Sequence, residues 1–261
     1  MNIPLTVLAT VLSALAVYLP ARTQVFTRVA VDGRSMRMLV AGTGEATVVF
    51  ENGAGGPLEH WGKVQPEVSR FARTVTYDRA GNGLSEDGPA PRDGRRIATE
   101  LHRALRQADI APPYILVGHS LGGLYIRIFA GLYPDDVAGL VLVDPTQEGN
   151  DLQPSGHPEL AALPGTFDQA RASQIRSGIP VLLIDARGVP EVPFATEAFR
   201  ALRATARQQL PAESLAYKEW VERMPGGRLI VTDHSGHNVP MEQPELVVDT
   251  IREAIAGKRA S

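Results

Sequence analysis

The stretch YILVGHSLGGLYIRIFAGLYP, residues 114–134, constrains the fold of this chain more than any other. A run of β-branched and apolar residues ends in a serine set among glycines. Helical spacing begins at the next residue, with Leu121, Leu124, Tyr125, Ile128, Phe129 and Leu132 on one face. A strand predicted to end at Val117 must therefore turn into a helix predicted to start at Leu121, with Ser120 at the turn. Such a turn strains the backbone at the serine, and Gly118, Gly122 and Gly123 relieve crowding where strand and helix pass closely. The hydroxyl projects at a helix N-terminus, where free amides and the helix dipole favour developing negative charge. GHSLG fits G-x-S-x-G, a weak pattern alone; the strand–turn–helix context gives it weight. The competing explanation is a glycine-rich turn with an idle serine.

Eight strand-like runs precede and follow this turn: Val25–Val31, Met36–Ala41, Thr47–Glu51, Thr74–Tyr77, Tyr114–Val117, Leu140–Val143, Val181–Ile184 and Leu229–Thr232. Helical spacing fills several gaps. Ile97, Leu101, Ala104, Leu105 and Ala108 share a face, and Val247, Ile251 and Ile255 do so between Pro244 and Gly257. The later strands are apolar almost throughout, as a parallel sheet covered on both faces requires; the first two are mixed and predict an antiparallel edge hairpin. The expectation is an α/β fold: one domain over residues 23–261, a mostly parallel eight-stranded sheet, helices on both faces. A chain of 261 residues, 44% apolar, supports a core of that size. Net charge is -3 with no long run of either sign, which gives no footprint for nucleic acid. No cysteine is present, so disulfides, thiolate metal sites and a cysteine nucleophile are excluded.

Residues 3–19, IPLTVLATVLSALAVYL, carry no charge and reach the lower length limit of a membrane span. Residues 1–22 are read as a membrane anchor or signal peptide, so the chain is expected to be membrane-anchored or exported, and otherwise cytoplasmic. No Lys or Arg precedes the segment and no clean A-x-A site follows it, while Arg22 and Arg28 place positive charge after it. The alternative is a helix packed on the domain.

Three further stretches bear on chemistry. In VVFENGAGGPLEHW, residues 48–61, a strand runs into glycines whose amides can point at an oxyanion. The donors are assigned to the amides of Ala54 and Leu121, with Gly53 beside them; His60 and Trp61 line an acyl pocket or pack. A phosphate cradle is disfavoured, because no Lys-Ser/Thr follows the glycines. In VTYDRAGNGLSE, residues 75–86, Asp78 sits on a glycine-rich turn and is expected to cap backbone amides. In LIVTDHSGHNVPMEQPE, residues 229–245, His237 follows Gly236 on a loop from which an imidazole can reach Ser120. His102 lies within a helix, His157 in a proline-rich loop, and the side chain of His119 is expected to point away from that of Ser120. Zinc held by His234 and His237 lacks a third ligand nearby.

Together these residues resemble the α/β-hydrolase superfamily of serine esterases and lipases. Gly118–Gly122 resembles its nucleophile elbow, and Asn52–Gly56 its oxyanion loop with Asn-Gly in place of His-Gly. Tyr77–Ser85 resembles its Y-D-x-R-G-x-G-x-S turn with Ala80 substituted, and Gly236–Glu245 its G-H loop with Glu242 and Pro244 downstream. The resemblance spans about residues 25–257. It implies acyl transfer to Ser120 with His237 as general base and no cofactor or metal. The expected partner is a small-molecule ester, lactone or thioester of small to medium size, with membrane association through the N-terminal segment. Amide, C–C or perhydrolytic chemistry on the same site is the alternative, and a non-catalytic ligand receptor the remote one. A short lid is expected between Pro145 and Gly178, with a helix near Gln169–Ser177, and a further helical stretch near 196–223.

The third member of the triad is less plain. In this superfamily the acid often follows strand seven, but here that slot holds Val189, with Asp185 early and Glu191 late. Asp144, in LVLVDPTQEG after strand six, resembles the Asp-Pro placement of pancreatic-type lipases and keeps the order Ser120, Asp144, His237. Asp144 is therefore the expected acid, with Asp185 and Glu191 as alternatives; turn capping is the other explanation for Asp144.

Overall fold

The computed structural model describes residues 24–148, 156–188, 217 and 219–258. The N-terminal segment, Glu191 and most of the 196–223 stretch lie outside the described residues. Among those described, no helix is long and apolar enough to cross a membrane.

Eight strands form one sheet: β1 Gln24–Val31, β2 Arg34–Ala41, β3 Thr47–Glu51, β4 Arg73–Tyr77, β5 Tyr114–His119, β6 Val137–Val143, β7 Val181–Ala186 and β8 Gly227–Thr232. Their order is β1-β2-β4-β3-β5-β6-β7-β8. β1 pairs with β2, and β2 with β4, antiparallel; every other pair is parallel. The edge hairpin and the parallel remainder follow from the hydrophobic pattern. β3, β5 and β6 are buried at every residue, so both faces of the sheet must be covered.

Alternate residues along β6 show how. Val137, Leu140 and Leu142 enter one core with the apolar faces of α2 (Gly94–Gln107) and α3 (Leu121–Leu132). Ala138, Val141 and Val143 enter the other with α1 (Gln65–Val68) and the last helix, α6 (Pro244–Lys258). Asp93 caps α2 by accepting the Arg96 amide at 2.9 Å, one of the orphan donors every helix start carries.

Several strands run longer than expected, β6 by three residues at its start, and two differences bear on the site and its surroundings. β5 continues past Val117 to His119, because β6 pairs with it as far as Val143 and the turn is confined to Ser120. The helix expected near Gln169–Ser177 lies earlier, as α5 (Leu163–Ala172), preceded by the short α4 (Pro158–Ala161). Pro164 sits in the first turn of α5, and Ser173 turns extended at its end, so 173–177 are not helical. Leu163, Phe167 and Ala170 bury α5 in the core shared by α2 and α3. Of the expected lid, 149–155 lie outside the described residues.

Closeness at the β5–α3 junction is set by glycine. A Cβ on Gly122 would stand 2.5 Å from the Glu51 carbonyl and 2.7 Å from that of Asn52, both backbone atoms that cannot swing aside. Gly122→Ala should lower stability by about 1–3 kcal/mol in urea unfolding. Gly165 in α5 has open space around it, so Gly165→Ala should raise stability by up to about 1 kcal/mol.

Candidate active site

Strand order brings the site together. β3 lies between β4 and β5, so the chain leaves β3 toward one side of the sheet and returns on the other. Loops at the carboxyl ends of strands diverge at such a reversal and leave a crevice. Parallel register sets Glu51 beside Gly118 and His119 beside Val143. The loop after β3, the turn after β5 and the loop after β6 therefore emerge side by side.

Ser120 occupies that turn with φ 54 and ψ −123, and Asp144 also has a positive φ of 40. Such conformations cost on the order of 1–3 kcal/mol in a residue with a side chain and persist only where the surroundings enforce them. Here the Ser120 amide donates to Val143 O at 3.2 Å, and Ser120 O accepts from the amides of Gly123 and Thr146, each at 3.0 Å. The Asp144 amide donates to Ile184 O at 2.8 Å.

Asp144 and His237 meet directly: Nδ1 of His237 lies 2.6 Å from Oδ2 of Asp144. The other carboxylate oxygen accepts the Ala186 amide at 3.0 Å, so the carboxylate is held at both ends. Asp185, by contrast, pairs with Arg187 at 2.6 Å. The hydroxyl of Ser120 pairs with that of Thr146 at 3.3 Å, and among the described residues no hydrogen bond joins it to His237. Thr146 was no part of the sequence reading, since a buried threonine on a loop carries no sequence signal.

The His237 loop is anchored from two sides. Glu242 accepts the Gly236 amide at 2.7 Å and the Ser235 hydroxyl at 3.1 Å. Nε2 of His119 donates to the His237 carbonyl at 2.7 Å. The side chain of His119 thus leaves Ser120, as expected, but supports the loop that carries His237. His60 stacks on His119 with centroids 4.8 Å apart, and His119 lies 4.7 Å from His237. Burial, then the charge of His237, holds His60 below its ordinary value; the same causes and His60 push His119 down to about 3. Trp61 is fully buried against Phe50, ring centroids 4.8 Å apart, and so packs in the core rather than lining a pocket. His234 is exposed beside Asp233, and His102 stacks on Tyr133 and pairs with Asp136.

Across the turn, a Cβ on Gly53 would stand 3.1 Å from Cβ of Ser120, so the loop after β3 reaches the serine. The amide of Leu121, first in α3, has no intrahelical acceptor. That of Ala54 donates to nothing among the described residues. The loop is held from beneath by Arg79, which is 1% exposed. Its guanidinium donates to the carbonyls of Asn52 and Gly53 at 2.7 and 2.5 Å, to Glu51 at 2.6 Å, and to both oxygens of Glu159 on α4 at 2.8 Å. The ring of Tyr125 lies 5.2 Å away. Burial raises Glu51 above its ordinary value against the opposing pull of Arg79. Burial also works to raise Glu159, but Arg79 and Asn82 outweigh it and leave that carboxyl lowered. Asp78 caps as expected, accepting the Leu58 amide at 2.7 Å and the Leu84 amide at 2.9 Å.

Residues 46–192 match the model of the alpha/beta hydrolase fold family. An uncharacterized protein of Bacillus subtilis, YqjL, is 36% identical over 104 residues, 40% of this chain and 41% of that protein. The human (lyso)-N-acylphosphatidylethanolamine lipase is 31% identical over 156 residues, 59% of this chain and 44% of that lipase. The chain thus spans less than half the length of these curated relatives. A thermophilic esterase from Thermogutta terrifontis superposes with a TM-score of 0.65 at 18% identity, over 90% of this chain and 99% of the esterase. At that identity the likeness is one of fold.

Two measurements probe the buried groups. Arg79→Met leaves Glu51 and Glu159 buried without their cation and should cost about 3–5 kcal/mol in urea unfolding. His119 binds its proton more weakly folded than unfolded, so its contribution is complete above pH 6.5 and is lost as pH falls toward about 3. Stability should therefore fall on acidification through this window, and His119→Gln should reduce the slope by up to about 1.4 kcal/mol per pH unit. An unchanged slope would mean that His119 is protonated in the folded protein.

Proposed function

The chain belongs to the α/β hydrolase fold family, and from that membership we propose that it is a serine hydrolase. It cleaves carboxylic esters, lactones or thioesters of small to medium size through an acyl-enzyme on Ser120. The observation that carries this reading is the 2.6 Å contact between His237 and Asp144, one strand beyond a serine held at positive φ.

In this mechanism the Ser120 hydroxyl turns from Thr146 toward His237, whose Nε2 takes its proton as Oγ attacks the acyl carbon. Asp144 accepts Nδ1–H, selects the tautomer that leaves Nε2 basic, and stabilises the imidazolium that forms. The amides of Ala54 and Leu121 receive the developing oxyanion, with Gly53 keeping the approach to Ser120 free of a side chain. His237 then protonates the leaving alcohol or thiol, and water repeats the sequence in reverse to free the acid. The His237 side chain is 59% exposed, which suits an open site and a substrate of modest size. Likeness to a lipase favours the ester among the bonds this machinery can break.

The test is a set of substitutions read with nitrophenyl esters and the matching anilides. Ser120→Ala should lose several orders of magnitude in kcat and all labelling by a fluorophosphonate probe, followed as intact mass. Asp144→Asn should lose about 10⁴-fold in kcat, because the imidazole takes the wrong tautomer. Asp185→Asn should stay near full activity. Wild-type protein that takes up no probe, or Ser120→Ala protein that hydrolyses esters at the wild-type rate, would remove the serine from the reaction.

A further inference from the structure

The position of the Ser120 hydroxyl is set by a neighbour outside the triad. Oγ lies 3.3 Å from Oγ1 of Thr146, on the loop after β6, and among the described residues neither hydroxyl has another hydrogen-bond partner. The base and its acid are already assembled, with Nδ1 of His237 2.6 Å from Asp144. Of the three groups, only the serine is not yet engaged.

Thr146 is fixed on both sides. It is 6% exposed. Its amide donates to Ser120 O at 3.0 Å, and its carbonyl accepts the Tyr217 hydroxyl at 3.0 Å. The Tyr217 oxygen accepts from Nη1 of Arg127 on α3 at 3.0 Å, and the same nitrogen reaches Glu148 at 2.6 Å. With its main chain clamped and its β-branched side chain stiff at χ1, Thr146 gives Oγ1 little freedom. The main chain of Ser120 is held as well, by Val143, Gly123 and Thr146. Its hydroxyl therefore moves by rotation about χ1, between staggered positions.

Either hydroxyl can donate in the Ser120–Thr146 pair. Whichever does, this rotamer keeps the single proton of Ser120 off His237. At 3.3 Å the pair is longer than the roughly 2.5–3.0 Å of an ordinary O–H···O bond, so little is lost when it opens.

We propose that Thr146 is a positioning residue that holds the Ser120 hydroxyl in a resting rotamer, off His237, until an acyl substrate draws it across. The proposal rests on Ser120 being the nucleophile. Thr146 then restrains the resting site, and removing its hydroxyl makes Ser120 more reactive. That sign separates it from a residue that merely shapes the loop, whose loss would slow the reaction.

The rotamer is read first without any chemistry, from the imidazole resonances of the ¹⁵N-labelled full chain at alkaline pH. Nε2 of His237 should resonate at the same position in wild-type and Ser120→Ala protein, because the serine does not donate to it at rest. It should move in Thr146→Val protein, which keeps the shape of the side chain and frees Ser120 to turn. A shift between wild type and Ser120→Ala would place the serine on His237 already and overturn the proposal, whether or not the valine variant folds. The rate of fluorophosphonate uptake, followed as intact mass, is read next. Thr146→Val should label about two- to fivefold faster than wild type, the low end of what a net hydrogen bond is worth. Thr146→Ser restores the hydroxyl and should return the rate to that of wild type. Labelling of the valine variant at or below the wild-type rate would overturn the assignment. Wild-type protein that takes up no probe would instead remove the serine-hydrolase reading, and the imidazole comparison would still decide where the hydroxyl rests.

Discussion

One buried guanidinium ties the functional end of this molecule together. Arg79 joins the end of β3 through Glu51, the following loop through the carbonyls of Asn52 and Gly53, and α4 through Glu159. Tyr125 of α3 covers its face. A charge so deep is costly unless every donor is used, and Arg79 uses its Nε, Nη1 and Nη2 on five acceptors. The result is directional. A purely apolar contact would let the loop slide, whereas carbonyls pinned to a planar fork fix the direction in which the next amides point. The geometry around Ser120 thus depends on a residue that does not itself touch the serine.

Around this anchor the site is built from strand ends rather than from any one segment. β3, β5 and β6 are neighbours, so their C-terminal loops converge, and the backbone hydrogen bonds of Ser120 and Asp144 run to β6 and β7. The two strained residues are held by the same ladder that holds the sheet. His237 arrives from the far end of the chain and needs its own supports, Glu242 on its loop and His119 from β5. Those supports explain why two further imidazoles crowd the site. Buried and close to His237, they are kept neutral, and neutral rings can stack there without repelling the His237 imidazole.

Much of this was legible in the chain itself. All eight strands lie where alternating and apolar runs place them, because residues buried on both faces must be apolar whatever the details of their packing. The turn at Ser120 was legible because only small residues permit the approach of β3, β5 and α3, and Gly118 and Gly122 announce it. The end of β5, the start of α5 and the packing of Trp61 were not legible. Each depends on a neighbour distant in sequence: Val143 beside His119, the core between α2 and α3, and the ring of Phe50.

The sequence by itself determined the class of fold, the strand–turn–helix at Ser120 and the short list of acids and histidines, since these follow from local spacing and side-chain type. Only the tertiary structure separated two of the candidate acids. Asp144 and Asp185 are equally acidic and both stand near strand ends, but parallel pairing turns one toward His237 and leaves the other with Arg187. The same is true of Arg79 and Arg92. Nothing in their local sequence distinguishes a guanidinium that meets five acceptors from one that, among the described residues, meets a single carboxylate, because hydrogen-bond satisfaction is a property of the folded neighbourhood and not of the residue.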